Sequence, residues 1–553
     1  MRIRWHHALL GFALAVAAPP SFADEAEELR RLRDTTINLV NALVEQGVLT
    51  RAKADEIIAQ ANQTAAKAAS AAVAPAPGAA AGVVAGAAAA PPPGEIRVPY
   101  VPDTVKQEIT DQVKQDVLAQ AKTERWGDPN AFPEWLRHFF WYGDLRIRGE
   151  ADRFPNDNPP NASVAQLQAN GVNTNNSTDP VNLIKVRGRL GFTATVGDTI
   201  TVGLGLASGG VGLGSNVGSD NQTLGNYQAH GSVGFDRAYI AYQPESWLKL
   251  TGGILGDPFY RPTTLVWAND VSLQGLIAQV NPTFGPHWSM FSTVGLFPIL
   301  YNPPTPTTSS PNKWLYAYQL GVDFRATRSL DWGLAAALYD YRNIEGIPNP
   351  TIVAAEAGEY NGTAAPYRQT GNTVFDINNL LNLQNGTSNY LYGLASKFHV
   401  LNISSSLDYA VGDPIHVMLN ADWIRNLGFD QQEIFNRTGD EVDPQTRGWQ
   451  VATLVGYPDM ARKYSWQAWL GYRYAQRDST VDAFTDQDFH LGGTDAKGYY
   501  LGARFAFETN TAIGFRWFVA KQISGIQLAG QDATSSELAY SINVLQLDLT
   551  TSF

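Results

Sequence analysis

Two short runs carry charge at every second residue: GDLRIRGE, residues 143–150, and LIKVRGRL, residues 183–190. In the first, Asp144, Arg146, Arg148 and Glu150 alternate with Leu145 and Ile147. In the second, Lys185, Arg187 and Arg189 alternate with Ile184, Val186 and Leu190. A period of two puts each charged set on one face of a strand and the apolar set on the other. Such a face can order water, pair ions and attract anions. Catalysis finds little support: His6, His7, His138, His230, His287, His399, His416 and His490 form no HExxH, and no GxSxG or phosphate-cradling glycine loop is present. No catalytic residue is assigned. His416 with Asn420 and Asp422 on one strand face comes nearest to a constellation and reads as ordinary polar lining. The chain has no cysteine, so it has no disulfide framework, thiolate nucleophile or thiolate metal site. No metal or cofactor is implied.

These faces need an apolar medium on one side and water on the other. The chain end, SINVLQLDLTTSF, repeats the demand: Leu545, Leu547 and Leu549 oppose Gln546 and Asp548, and the chain stops at Phe553. The medium is read as lipid, because the other terminus carries an export signal. MRIRWHH is a basic start, ALLGFALAVAA is an apolar stretch of signal-peptide length, and Ser21-Phe22-Ala23 is a small-x-small site before DEAEE. Residues 1–23 are therefore expected to leave, and the net charge moves from −12 to about −14 with Arg2 and Arg4, which argues against nucleic acid as a partner. Fifty glycines, 14 tryptophans, 23 tyrosines and 24 phenylalanines, with no later segment apolar enough for a membrane helix, suit a barrel whose strands are apolar only at alternate positions.

Residues 24–63 show helical spacing of Leu29, Leu32, Leu39 and Leu43, then of Ala54, Ile57, Ile58 and Ala61 after Gly47, which predicts a helical hairpin or short coiled coil. Residues 64–94 are nearly all Ala, Pro, Gly and Val and predict an extended linker. Residues 95–128 carry a further helix, with Val105, Ile109, Val113 and Val117 at every fourth position. Residues 129–553 predict an all-β transmembrane barrel of about 16 antiparallel strands, starting near 139, 182, 200, 230, 247, 271, 287, 313, 330, 391, 415, 446, 464, 497, 511 and 538. Seven tight turns, near 197, 244, 281, 325, 412, 458 and 508, alternate with longer connections such as 151–180, 343–388, 427–445 and 477–496. Trp247, Trp288, Trp332 and Trp466 follow short turns, while Tyr242, Phe324, Tyr457 and Phe507 precede them. Rings gathered at one strand end predict a periplasmic aromatic girdle.

Several stretches resemble the putative porins of Gram-negative bacteria: QGVLTRAKADEIIAQA, VPYVPDTVKQEITDQVKQDVLAQAKTERWGDPNAFPEWL, WYGDLRIRGEADRF, FDRAYIAYQPESWLKLTGGILGDPF and the terminal Phe. The resemblance implies an outer-membrane diffusion channel with a periplasmic N-terminal helical segment. Similarity to porins in general implies a homotrimer, and Phe553 resembles the signal read by the outer-membrane assembly machinery.

Barrel closure would place the last strands beside the first. Arg473, Arg504, Arg516, Arg146, Arg148, Lys185, Arg187 and Arg189 then form one basic wall. In general porins the third outer loop folds inward, and the partly apolar segment GDPFYRPTTLVWAND, residues 256–270, is the corresponding candidate here. Asp257 and Asp270 on it would oppose the arginines across a constriction, with Arg261 between them. The bland alternatives are a loop packed at the outer rim, and a wall neutralised by Asp144, Glu150, Glu508 and Asp548.

The favoured function is a water-filled porin for small hydrophilic solutes and ions. A weakly anion-preferring channel is the alternative within that class. Outside it stands a structural tether between membrane and peptidoglycan through the N-terminal helices, and, further off, a barrel enzyme.

Overall fold

Alternating side chains force a strand to choose two media at once, and sixteen such strands satisfy the choice together by closing on themselves. The computed structural model describes residues 138–160, 176–209, 218–306, 308–350, 358–378, 390–524 and 539–553. The expected signal, N-terminal helices and linker lie outside the described residues. The barrel strands are β1 (Phe139–Arg153), β2 (Val181–Val196), β3 (Ile200–Ser208), β4 (Val233–Glu245), β5 (Leu248–Gly256), β6 (Ser272–Val280), β7 (Trp288–Leu300) and β8 (Lys313–Thr327). They continue as β9 (Leu330–Arg342), β10 (Phe398–Gly412), β11 (Ile415–Asn426), β12 (Arg447–Gly456), β13 (Trp466–Ala475), β14 (Ala496–Glu508), β15 (Thr511–Gln522) and β16 (Ser541–Ser552).

Every neighbour in sequence pairs antiparallel with the next, and β1 pairs with both β2 and β16, which closes the ring and leaves no edge. The seam sets Arg148 against Asp548 and Leu145 against Thr551. Beyond the last paired residues, the Phe553 amide donates to the Gly143 carbonyl and the Gly143 amide to the Phe553 carbonyl, both at 3.0 Å. A side chain at Gly143 would meet the Phe553 ring at 2.4 Å, so glycine is needed there.

The two faces separate as alternation requires. Leu145, Ile147, Leu547 and Leu549 stand exposed on the outside, whereas Arg148, Glu150, Gln546 and Asp548 are buried within. Charge facing hydrocarbon costs about 2 to 4 kcal/mol near the midplane, which makes this the one workable orientation in a membrane. Trp247, Trp288, Trp332 and Trp466 are exposed at the end where the short connections lie, and Trp288 packs on Phe324 at 4.2 Å between centroids.

One strand start differs from the sequence expectation. The tenth barrel strand begins at Phe398, while Tyr392–Leu394 pairs instead with Val374–Asp376 in a separate two-stranded ribbon. The Asp376 carboxylate accepts from the Leu391 and Asn378 amides and holds that ribbon's turnings, which alternation alone does not reveal.

Candidate functional site

The inward faces of β13 to β16, β1 and β2 carry the charges. Arg148 donates to both carboxylate oxygens of Asp548, at 2.7 and 3.1 Å, and to Asp488 at 2.9 Å. Arg516 reaches the same two carboxylates at 2.8 and 3.3 Å. Asp144 takes Arg187 at 2.7 Å and Arg189 at 2.6 Å, and Glu150 takes Lys185 at 2.5 Å. Paired ions in a partly dry interior hold one another in place, since each would be costly alone.

The segment between β5 and β6, residues 257–271, folds inward. Phe259, Leu265, Val266 and Trp267 join a buried apolar cluster with Leu315 and Ala317 of β8 and Tyr339 and Tyr341 of β9. Trp267 stands edge-on to Tyr339, with centroids 5.3 Å apart. Each fully buried large side chain stabilises the seat by about 1.5 to 3 kcal/mol. Polar clasps fix its register: the Thr263 amide and hydroxyl donate to Asp422 at 3.1 and 2.6 Å, and the Tyr260 amide donates to Gln319 at 2.7 Å.

Asp270 meets Arg187 at 3.0 Å and Arg189 at 3.6 Å. Asp257 does not oppose the wall. Its carboxylate turns back onto Arg261, four residues on, and accepts from the Phe259 amide at 3.0 Å. A local partner within one turn of chain outcompetes a distant one, and burial then pushes its carboxyl pKa up while Arg261 works the other way.

A second inward segment, residues 476–495 between β13 and β14, corresponds to the sequence-predicted long connection 477–496. Asp488 on it accepts from Arg148, Arg516 and Gln546. Burial opposes the Asp488 charge, but Arg148, then Gln546 and Arg146, hold its carboxyl below the usual range. Burial, then the neighbouring Asp488 charge, push Asp486 upward. The two inward segments join where the Ala268 amide donates to the Phe484 carbonyl at 2.8 Å. Residues of the β9 to β10 connection hold the second from above: Asp478 accepts from the Thr373 amide at 2.9 Å and hydroxyl at 2.7 Å. The readable signal was the spacing of Asp482, Asp486 and Asp488 on a connection between two arginine-bearing strands.

Between these segments and the charged wall lies a cavity of about 510 Å³. Of the eight wall cations, Arg146, Arg187, Arg504 and Arg516 line it, together with Arg261, Asp270, Asp488 and Asp548. Arg148 is buried behind its carboxylates, and Arg473 is buried against the Leu265 carbonyl and over the Phe489 ring. Arg146 and Arg504 form no ion pair among the described residues; Arg146 donates instead to the neutral Asn221 amide oxygen at 2.5 Å. Glu508 is not on the lining. It sits exposed beside a short turn, where it pairs with Lys463 at 2.7 Å, because an irregularity between Ala506 and Glu508 ends the regular alternation. His416, Asn420 and Asp422 are separately engaged, by Asp408, Ser406 and Thr263. Among the described residues no cluster of His, Asp and Glu is placed to hold a metal.

A family model described as "Putative porin" matches residues 33–553. No curated protein sequence matches. Among solved structures, the outer membrane channel DcaP of Acinetobacter baumannii is similar at 13% identity and TM-score 0.37, covering 75% of this chain and 97% of that one. OprB of Pseudomonas putida is similar at 11% identity and TM-score 0.41, covering 75% and 94%. OmpT of Vibrio cholerae, in a trimer form, is similar at 11% identity and TM-score 0.37, covering 75% and 99%.

Proposed function

The chain belongs to the putative porin family, and we propose that it works as an outer-membrane channel through which small hydrophilic solutes and ions diffuse, with a weak preference for anions. The observation that carries the preference is that Arg146 and Arg504, which form no ion pair among the described residues, both line one cavity of about 510 Å³. The other wall cations are largely cancelled at contact by Asp144, Glu150, Asp270, Asp488 and Asp548, so their fields fall off quickly while those of Arg146 and Arg504 reach further toward the passing ion. Paired groups line the path with fixed dipoles that replace part of a solute's hydration. A tilt is therefore expected, with no tightly held substrate.

The strand directions favour a periplasmic N-terminal region. β1 starts and β16 ends at the end of the barrel that carries the short turns, which in bacterial barrels faces the periplasm.

The test is the conductance of refolded protein in planar bilayers, with reversal potential under a salt gradient. Steps of reproducible size with a reversal potential shifted to the anion side support the reading, and the number of equal steps per insertion reads how many barrels assemble. Folded, inserted protein that passes no current overturns the channel. Current with cation preference overturns only the anion tilt.

A further inference from the structure

The outside of the barrel carries an arrangement that its own folding does not explain. Arg425 on β11 and Arg447 on β12 stand directly opposite each other, and Lys497 on β14 and Lys521 on β15 do the same. All four point outward: their neighbours along the strands, Ile424, Asn426, Ala496, Ala520 and Gln522, are buried. Opposed side chains in a sheet lie about 4.5 to 5.5 Å apart, and like charges there repel. Among the described residues none of the four forms an ion pair.

Their height on the barrel is equally specific. Two residues further into each strand stand Trp423, Trp449, Tyr499 and Val519, all exposed. Two residues of strand span about 7 Å, so the cations sit just beyond the exposed aromatics Trp423, Trp449 and Tyr499, at the end away from the short turns.

We propose that this face, β11 to β15, is a binding site for the phosphate groups of outer-leaflet lipid headgroups. The inference rests on reading the chain as a membrane barrel. The apolar surface beneath the cations is continuous with them, so a lipid whose chains lie on Trp449 and Leu501 brings its phosphate between opposed basic residues. An anion bridging each pair turns a repulsive contact into a charge-assisted one, and planar guanidinium groups on one pair suit phosphate oxygens well.

The experiment uses the full chain in phosphatidylcholine vesicles carrying trace spin-labelled phosphatidic acid or spin-labelled phosphatidylcholine, at about 0.15 M salt. The motionally restricted fraction of labelled phosphatidylcholine reports that the barrel is inserted, independently of any channel activity. Association roughly fivefold stronger at each basic contact, on the four of sixteen strands that carry one, averages to about twofold selection of phosphatidic acid around the barrel. Joint substitution of Arg425→Gln, Arg447→Gln, Lys497→Gln and Lys521→Gln is expected to bring selection to about one with far-ultraviolet circular dichroism unchanged. Arg425→Lys with Arg447→Lys keeps the charge and should keep most of the selection, which guards against a folding defect. Equal restriction of both lipids by the native chain, or selection that survives the fourfold substitution, overturns the proposal. So does a fourfold variant that gains restricted phosphatidylcholine, because the face would then have been covered by a second copy of the chain.

Discussion

Joint substitution of Arg146→Gln and Arg504→Gln removes the two cations on the cavity that form no ion pair among the described residues. An ion passing about 5 Å from one unit charge in water feels about 0.8 kcal/mol before screening. At 0.15 M salt the Debye length of about 8 Å leaves roughly half of that. Two charges together then contribute about 0.9 kcal/mol, or about fivefold in the local occupancy of an anion. The effect on a cation is the inverse, so about twentyfold is the ceiling on the change in the anion-to-cation permeability ratio at 0.15 M, and the expected result is loss of the native anion preference. At 1 M the Debye length shortens to about 3 Å, and the same arithmetic gives about threefold. The assay is the reversal potential of the channel in planar bilayers at both salt levels. A ratio that does not move at 0.15 M refutes the assignment of the two arginines to the conducting path. A change as large at 1 M as at 0.15 M refutes the electrostatic argument, since a steric or structural effect would be blind to salt.

Three further outcomes follow from the same geometry. Asp488→Asn leaves Arg148 and Arg516 sharing Asp548 alone, so anion preference should rise, by about twofold to fivefold at 0.15 M on the same screened arithmetic, again read from reversal potential. Trp267→Ala removes a fully buried ring from the seat of the inward segment and should cost that seat about 3 to 5 kcal/mol; larger and noisier unit conductance is expected, with barrel circular dichroism unchanged. Asp220, in the connection after β3, is pushed up to about 7 by burial and then by the Asp270 charge, and lies 3.7 Å from Arg189. Its negative charge is lost as pH falls through about 7, so anion preference should increase from pH 8 to pH 6, roughly one unit either side of that value. Asp220→Asn should flatten the profile.

Much of the barrel was legible because a membrane wall leaves the chain little choice. In GDLRIRGE and SINVLQLDLTTSF the same alternation that separates Leu145 from Arg146 and Leu547 from Asp548 also fixes which face is wet. The tryptophans after the short turns give strand starts within a few residues, Trp288 and Trp466 being the first residues of their strands. The partly apolar character of residues 256–270 set that segment apart from polar loops, and its Trp267 and Leu265 are indeed buried.

The rest was hidden for physical reasons. Asp257 finds its partner four residues away, a choice made by local backbone shape. Asp488 finds Arg148 across 340 residues of chain, a contact that no periodicity encodes. Polar connections look alike in composition whether they end in water or against a wall, so the inward path of 476–495 left only the spacing of its aspartates as a trace. The ribbon of 374–376 with 392–394 is too short to show a period at all.

The inward segment is held on one side and meets ions on the other. Its grip is chiefly the greasy contact of Phe259, Leu265 and Trp267 with β8 and β9, whereas the charges on the cavity belong chiefly to β13 to β16, β1 and β2. Apart from the Asp270 pairs with Arg187 and Arg189 and the contact of Arg473 with the Leu265 carbonyl, anchorage and selectivity are thereby written in different residues. A lineage can exchange Arg146, Arg504 or Arg516 for glutamine and retune the charge that a solute would meet, one substitution at a time, while the inward segment stays where it is. The same separation offers an engineer a scaffold whose aperture and whose chemistry can be varied independently.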